Sequence, residues 1–114
     1  MINLLALSAT SEGDLMVKHI VFWQFKDRAA GQTKQDNMNR VKRQLEALRV
    51  LPGVITAEVG FDILNVDASC DAVLYSTFEN QAALDSYQQH PDHVAIKKFL
   101  GEVTKERHVV DYVL

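Results

Sequence analysis

The sequence predicts an α+β domain in which two helices cover one face of a four-stranded antiparallel sheet, in the order β-α-β-β-α-β. Three observations carry this. The segment "VKHIVFWQF", residues 17–25, alternates with a period of two. Met38, Val41, Leu45, Leu48 and Leu51 recur at spacings of three and four, as one face of a helix does. Between that helix and a second helical region lie two strand-like runs, "VITAEVGFDIL" and "AVLYSTF".

Taken in order, the first strand places Val17, His19, Val21, Trp23 and Phe25 on one face and Lys18, Ile20, Phe22 and Gln24 on the other. "KDRAAGQ" reads as a loop. Thr33 is the expected N-cap of helix one, which stops at "LPG" because Pro52 and Gly53 cannot continue it. "VITAEVGFDIL" is the second strand, "NVDASCD" a polar turn and "AVLYSTF" the third strand. Asn80 caps a short helix through Tyr87, and Pro91 opens another that runs to about Val103. "HVVDYVL" closes the chain as the fourth strand. This order is the ferredoxin-like split βαβ arrangement, with its second helix interrupted at "HPDH".

Composition bounds the function. The chain has 114 residues, 47% hydrophobic and 24% charged, which suits one globular domain. A net charge of −3 gives no electrostatic footprint for nucleic acid or for an anionic membrane surface. Cys70 is the only cysteine, so no intrachain disulfide forms and a reducing, cytoplasmic setting is expected. Residues 1–15 are read as an N-terminal extension ahead of a domain at 16–114. "INLLALSA" has an apolar run and small residues but lacks the basic start of a signal peptide. It is apolar enough to lie on a sheet edge or against a partner protomer.

Helices on one face leave the other face of the sheet bare. Ile20 and Phe22 on strand one, and Val73 and Tyr75 on strand three, make that second face apolar too. An exposed patch of that kind needs cover, and a second copy of the same sheet supplies it. A two-fold homodimer through the sheet faces is therefore expected.

"MVKHIVFWQFKD", "LPGV", "FEN…Y…HPDHV" and "VDYVL" fall in an order and spacing that resembles the Dabb family, the stress-responsive dimeric α/β-barrel proteins, over residues 16–114. The resemblance implies a homodimer whose sheets face one another as a barrel, with a pocket between each sheet and its own helices. It also implies, by likeness to the plant polyketide (olivetolic acid) cyclase branch, a site at His19, Tyr87 and His93 that needs no cofactor. The same match places Val21 and Trp23, Leu74 and Ser76, and Val41, Gln44 and Leu45 of helix one around a pocket for a small hydrophobic or aromatic ligand. Helix one carries less aromatic bulk there than that branch does, which points to a different ligand.

On its own chemistry, His93 titrates near neutrality and can take a proton from carbon beside a carbonyl. Tyr87 can donate a hydrogen bond to the oxyanion that develops, and His19 can orient or polarise from strand one. In one unbroken helix Tyr87 and His93, six residues apart, would not share a face; the break at "HPDH" turns His93 inward. The competing reading makes "HPDH" a corner, with His90 leading into the helix and His93 bonded to a backbone carbonyl. His90, Asp92 and His93 form a poor metal set, being a turn without a converging carboxylate or thiolate, and no metal is expected. Two further readings remain, a non-catalytic binding or structural stress protein and a cofactor-free monooxygenase on the same architecture. The charged runs "KRQLEALR" and Lys97, Lys98 and Glu102 read as solvated helix faces.

Overall fold

The computed structural model describes residues 15–114. The expected N-terminal extension and its docking therefore lie, but for Leu15, outside the described residues. The elements are β1 (Val17–Phe25), a small hairpin of β2 (Arg28–Ala29) and β3 (Gln32–Thr33), α1 (Lys34–Ala47), β4 (Val54–Phe61), β5 (Ala72–Phe78), α2 (Gln81–Gln89), α3 (Pro91–Val103) and β6 (Thr104–Val113). The main sheet has the order β4-β5-β1-β6 with every neighbour antiparallel. This is the expected ferredoxin-like α+β architecture.

The alternation in β1 resolves as read: Val17, His19, Val21, Trp23 and Phe25 are buried on the helix-covered face. Leu74, Ser76 and Phe78 of β5 and Ala57 and Val59 of β4 continue that inner face across the register. Met38, Val41 and Leu45 of α1, Leu84 and Tyr87 of α2 and Ile96, Phe99, Leu100 and Val103 of α3 fill the layer above it. Each helix starts on a side chain that accepts an orphan N–H, namely Thr33 from Asp36, Asn80 from Ala83 and His90 from Asp92.

Four local expectations change. "KDRAAGQ" is a tight hairpin rather than a plain loop, because Ala30 and Gly31 both take positive φ (52° and 71°). The strand read as 54–64 stops at Phe61, since the Asp62 carboxylate accepts from the Asn65 N–H at 2.7 Å and turns the chain away. Helix one ends at Ala47; Leu48 falls in a single 3₁₀ turn, Leu48–Val50, and Leu51 is extended. The last strand starts at Thr104 instead of His108, because the charged run 104–107 pairs with Phe25, Gln24 and Trp23.

The pair Lys42–Glu46, read as part of a solvated face, instead stitches α1 to the edge strand. Lys42 Nζ donates to Glu46 Oε2 (2.9 Å) and to the Val59 carbonyl (2.5 Å), while Glu46 Oε2 accepts from the Val59 N–H at 3.0 Å. Burial disfavours the Glu46 charge, but the Val59 and Lys42 bonds outweigh it and hold the carboxyl below its ordinary range.

The outer face of the sheet carries no helix. Across it run Tyr75, Ile20 and Val110 in one register row and Val73 and Phe22 in the next. Phe22 and Tyr75 are each 38% exposed and Val110 48%. Among the described residues no helix is long and apolar enough to cross a membrane.

Candidate active site

The break at "HPDH" decides the geometry. His90 is extended (φ −62°, ψ 136°), its Nδ1 accepts the Asp92 N–H at 3.1 Å, and Pro91 occupies the first turn of α3. His90 is thus a capping corner. His93, one turn into α3, is swung back over α2, so that its ring lies 4.6 Å from the ring of Tyr87. Tyr87 in turn packs on Phe78 at 4.8 Å, and Phe78 meets His19 at 6.3 Å. An aromatic wall therefore runs between the two histidines.

A cavity of about 100 Å³ lies between the sheet and the helices, lined by His19, Val21 and Trp23 from β1, Leu74 from β5, Leu45 from α1, and His93 and Leu100 from α3, among others. Six of the residues expected at a pocket are in that lining. Four are not. Val41 is sealed in the core a turn before Leu45. Ser76 lies under the sheet face, its hydroxyl donating to the His19 carbonyl at 2.6 Å. Gln44 sits 100° around α1 from Leu45 and lines a separate groove with Asp92 and Ile96, its Oε1 buried without a partner among the described residues. Tyr87 backs the His93 ring from behind, and its buried hydroxyl likewise has no partner among the described residues.

The structure adds residues that the sequence reading passed over. Asp111 of β6 sits opposite His19, with Oδ1 2.5 Å from His19 Nδ1. Gln88 offers its backbone carbonyl to His93 Nδ1 at 3.2 Å. Lys97 and Arg107 stand in the cavity lining, Lys97 a helical turn beyond His93 and Arg107 opposite Trp23 in the β1–β6 register. Lys97 is therefore more than part of a solvated face.

These contacts assign the ring nitrogens. His93 Nδ1–H donates to the Gln88 carbonyl, which leaves Nε2 with its lone pair. His19 Nδ1–H donates to the Asp111 carboxylate, which leaves the His19 Nε2 as its free position. Burial holds the His93 pKa below its ordinary value of 6.5; the Gln88 carbonyl works against this, and the charges of His19, Lys97 and Arg107 add to it. Burial pushes the Tyr87 phenol up to about 12. At neutral pH the site thus offers a neutral imidazole able to accept a proton, backed by a phenol that stays protonated. Among the described residues no three His, Cys, Asp or Glu side chains converge as a metal site requires.

Residues 17–114 match the Stress responsive A/B Barrel Domain, and the chain belongs to this family, Dabb. A dimeric protein of unknown function and ferredoxin-like fold from Bacteroides fragilis is 36% identical, covering 87% of this chain and 96% of its own, with a TM-score of 0.75. A Dabb family protein with a ferredoxin-like fold from Mesorhizobium loti is 26% identical, with 88% and 97% covered and a TM-score of 0.66. The hydroxynitrile lyase of Passiflora edulis shares the fold at 17% identity, with 89% and 94% covered and a TM-score of 0.73. Among curated proteins none matches this sequence.

Proposed function

We propose that residues 16–114 form a two-fold dimer through the bare sheet face and that each helix-side cavity catalyses cofactor-free proton transfer at carbon beside a carbonyl. The single observation that carries the catalytic reading is the pair of imidazoles in one cavity, each with Nδ1 engaged and Nε2 left free. The two rings differ in partner, His19 Nδ1 facing a carboxylate and His93 Nδ1 a backbone carbonyl, which suits them to different roles. His93, held neutral, accepts the proton through Nε2 as the C–H bond breaks, and the electron pair moves to the carbonyl oxygen. His19, when protonated, donates Nε2–H to that oxygen while the Asp111 carboxylate balances its charge. The enolate so formed can then be reprotonated, add to a second carbonyl or expel a leaving group, which spans the cyclase and lyase chemistries.

Size argues against a bulky aromatic polyketide as the buried portion. A closed cavity of roughly 150 Å³ takes up benzene, and this one is about 100 Å³. The reacting end of the substrate is therefore small. The test is deuterium exchange into a small 1,3-dicarbonyl in D₂O, followed by NMR with the full chain. Exchange should be saturable and should fall to the buffer rate in His93→Ala. An unaltered rate in that variant would sink the catalytic reading and leave a binding protein.

A further inference from the structure

We propose that the ligand of this cavity is a small organic acid, its carboxylate held at the mouth by Lys97 and Arg107 and its carbonyl-bearing body seated between His19 and His93. This rests on the reading of the cavity given above and adds the substrate's charge and polarity. Both cations belong to the lining, and that lining contains no acidic residue. Neither is ion-paired among the described residues, in contrast to Lys34 and Lys42, which are. The one carboxylate near the histidines, Asp111, is already engaged by His19. Two unneutralised cations facing one small, half-apolar space repel each other; an anion seated between them removes that repulsion.

The surroundings set the orientation. Trp23, Lys97, Leu100 and Arg107 also line an outer groove of about 290 Å³ along the α3–β6 seam, together with Lys105 and Glu106. Glu106, the acid there, has His108 at 3.7 Å. The cations thus stand where the inner cavity meets the groove, and the histidines stand deeper. Trp23 lies at the same junction, 3% exposed, and its indole Nε1 is buried without a partner among the described residues. A buried N–H of that kind is a donor still to be satisfied. A carboxylate offers acceptors to a guanidinium fork, an ammonium and an indole N–H together.

The probes are hexanoate and its neutral isostere hexanamide, titrated into the full chain and read by NMR at the Trp23 indole N–H and the His93 ring. Hexanoate should shift both resonances saturably and bind about tenfold more tightly than hexanamide, the scale of a charge-assisted bond. Lys97→Met and Arg107→Met should each weaken hexanoate about fivefold or more and leave hexanamide unchanged. Lys98→Met, a charge removed from the same helix but outside the lining, should change neither. Equal binding of acid and amide, no binding of either, or an equal response to Lys98→Met overturns the proposal, as does inorganic phosphate competing on equal terms with hexanoate. These readouts are independent of turnover. Charge-dependent binding without carbon exchange would retain the acid site and discard the catalytic reading, and exchange that ignores ligand charge would do the reverse.

Discussion

His19 Nδ1 and Asp111 Oδ1 meet at 2.5 Å across adjacent strands, although 92 residues separate them in the chain. β1 is the strand that every long-range feature of the site converges on, since its two neighbours, β5 and β6, supply Leu74 and Asp111 from opposite sides. The carboxylate does what an orienting partner does for an imidazole: it fixes the tautomer and counters the charge that develops.

Asp111→Asn should therefore leave the fold intact, because the side chain is on an edge strand and partly exposed. Its carboxamide can accept from His19 Nδ1–H only in one orientation and cannot balance an imidazolium. Carbon exchange should fall by about 10²-fold, the scale of a misplaced acid–base group. Nitrogen NMR of the His19 ring should show loss of the uniform Nδ1–H state. Unchanged exchange would make the pair a structural clasp between β1 and β6.

The pH dependence follows from His93. Its folded pKa is depressed below 6.5, so near that value the unfolded chain binds more protons than the folded one. Stability is then fully present above 6.5 and is lost as pH falls through the folded value. His93→Gln should lose less stability than the parent over that acid window when urea midpoints are compared. The same depression predicts that the basic form persists below pH 6.5, so the acid limb of the exchange profile should lie to the acid side of an ordinary histidine.

The fold was legible because its signals are local. Period-two alternation in 17–25 and helical spacing through Met38, Val41 and Leu45 each state which face is buried, and the cap residues state where helices start. The site was legible only in part. His19 and Trp23 sit on the face that the period-two alternation defines, whereas His93 was reached through the break at "HPDH" and the family resemblance. Asp111, Arg107 and Lys97 owe their places to register and helix phase. Counting back by twos along β6 from Asp111 reaches Val109 and Arg107 on the inner face, and His93, Lys97 and Leu100 share one face of α3 at spacings of four and three. Those counts were available. The charge of "TKER" masked them, because an edge strand with charged residues reads as a loop. Val41, Gln44 and Ser76 fall outside the cavity lining for another reason: facing the helix–sheet layer does not decide whether a side chain meets a void or a neighbour.

The bare sheet face predicts the assembly. Tyr75, Ile20 and Val110 form an apolar row across three strands, flanked by Val73 and Phe22. Sedimentation equilibrium should return twice the chain mass. Val73→Asp should shift the chain to monomer, because a buried, unpaired carboxylate at a self-complementary interface is placed there twice by the two-fold axis. Glu58, exposed opposite Tyr75 on the edge strand β4, gives the contrast, and Glu58→Gln should leave the dimer in place. A parent protein that sediments as a monomer would refute the assembly.

Gly53 is constrained twice. Its φ is +83°, and a Cβ there would lie 2.4 Å from the Ala83 Cβ. Gly53→Ala should cost about 2–4 kcal/mol, combining backbone strain with overpacking. Ala83→Gly removes only the second contribution, so the pair should show a coupling of about 1 kcal/mol or more in urea titrations. Simple additivity would mean that α2 moves aside freely.

Tyr87 separates stability from function within one atom. Its ring is packed between Phe78 and His93, and Tyr87→Phe keeps that ring. What the substitution removes is a buried hydroxyl with no partner among the described residues, whose burial holds the phenol protonated with a pKa of about 12. An unsatisfied buried hydroxyl costs about 1–3 kcal/mol. Tyr87→Phe should therefore raise the urea midpoint of the free protein. Carbon exchange should be nearly unchanged in the same variant, since Tyr87 stands outside the cavity lining and the proposed donor to the oxyanion is His19. A gain in stability with no loss of rate would make Tyr87 a backing for His93 alone. A loss of stability would mean that the hydroxyl is satisfied in solution, by an ordered water or by the partner protomer, and would remove it from the list of groups held ready for a ligand.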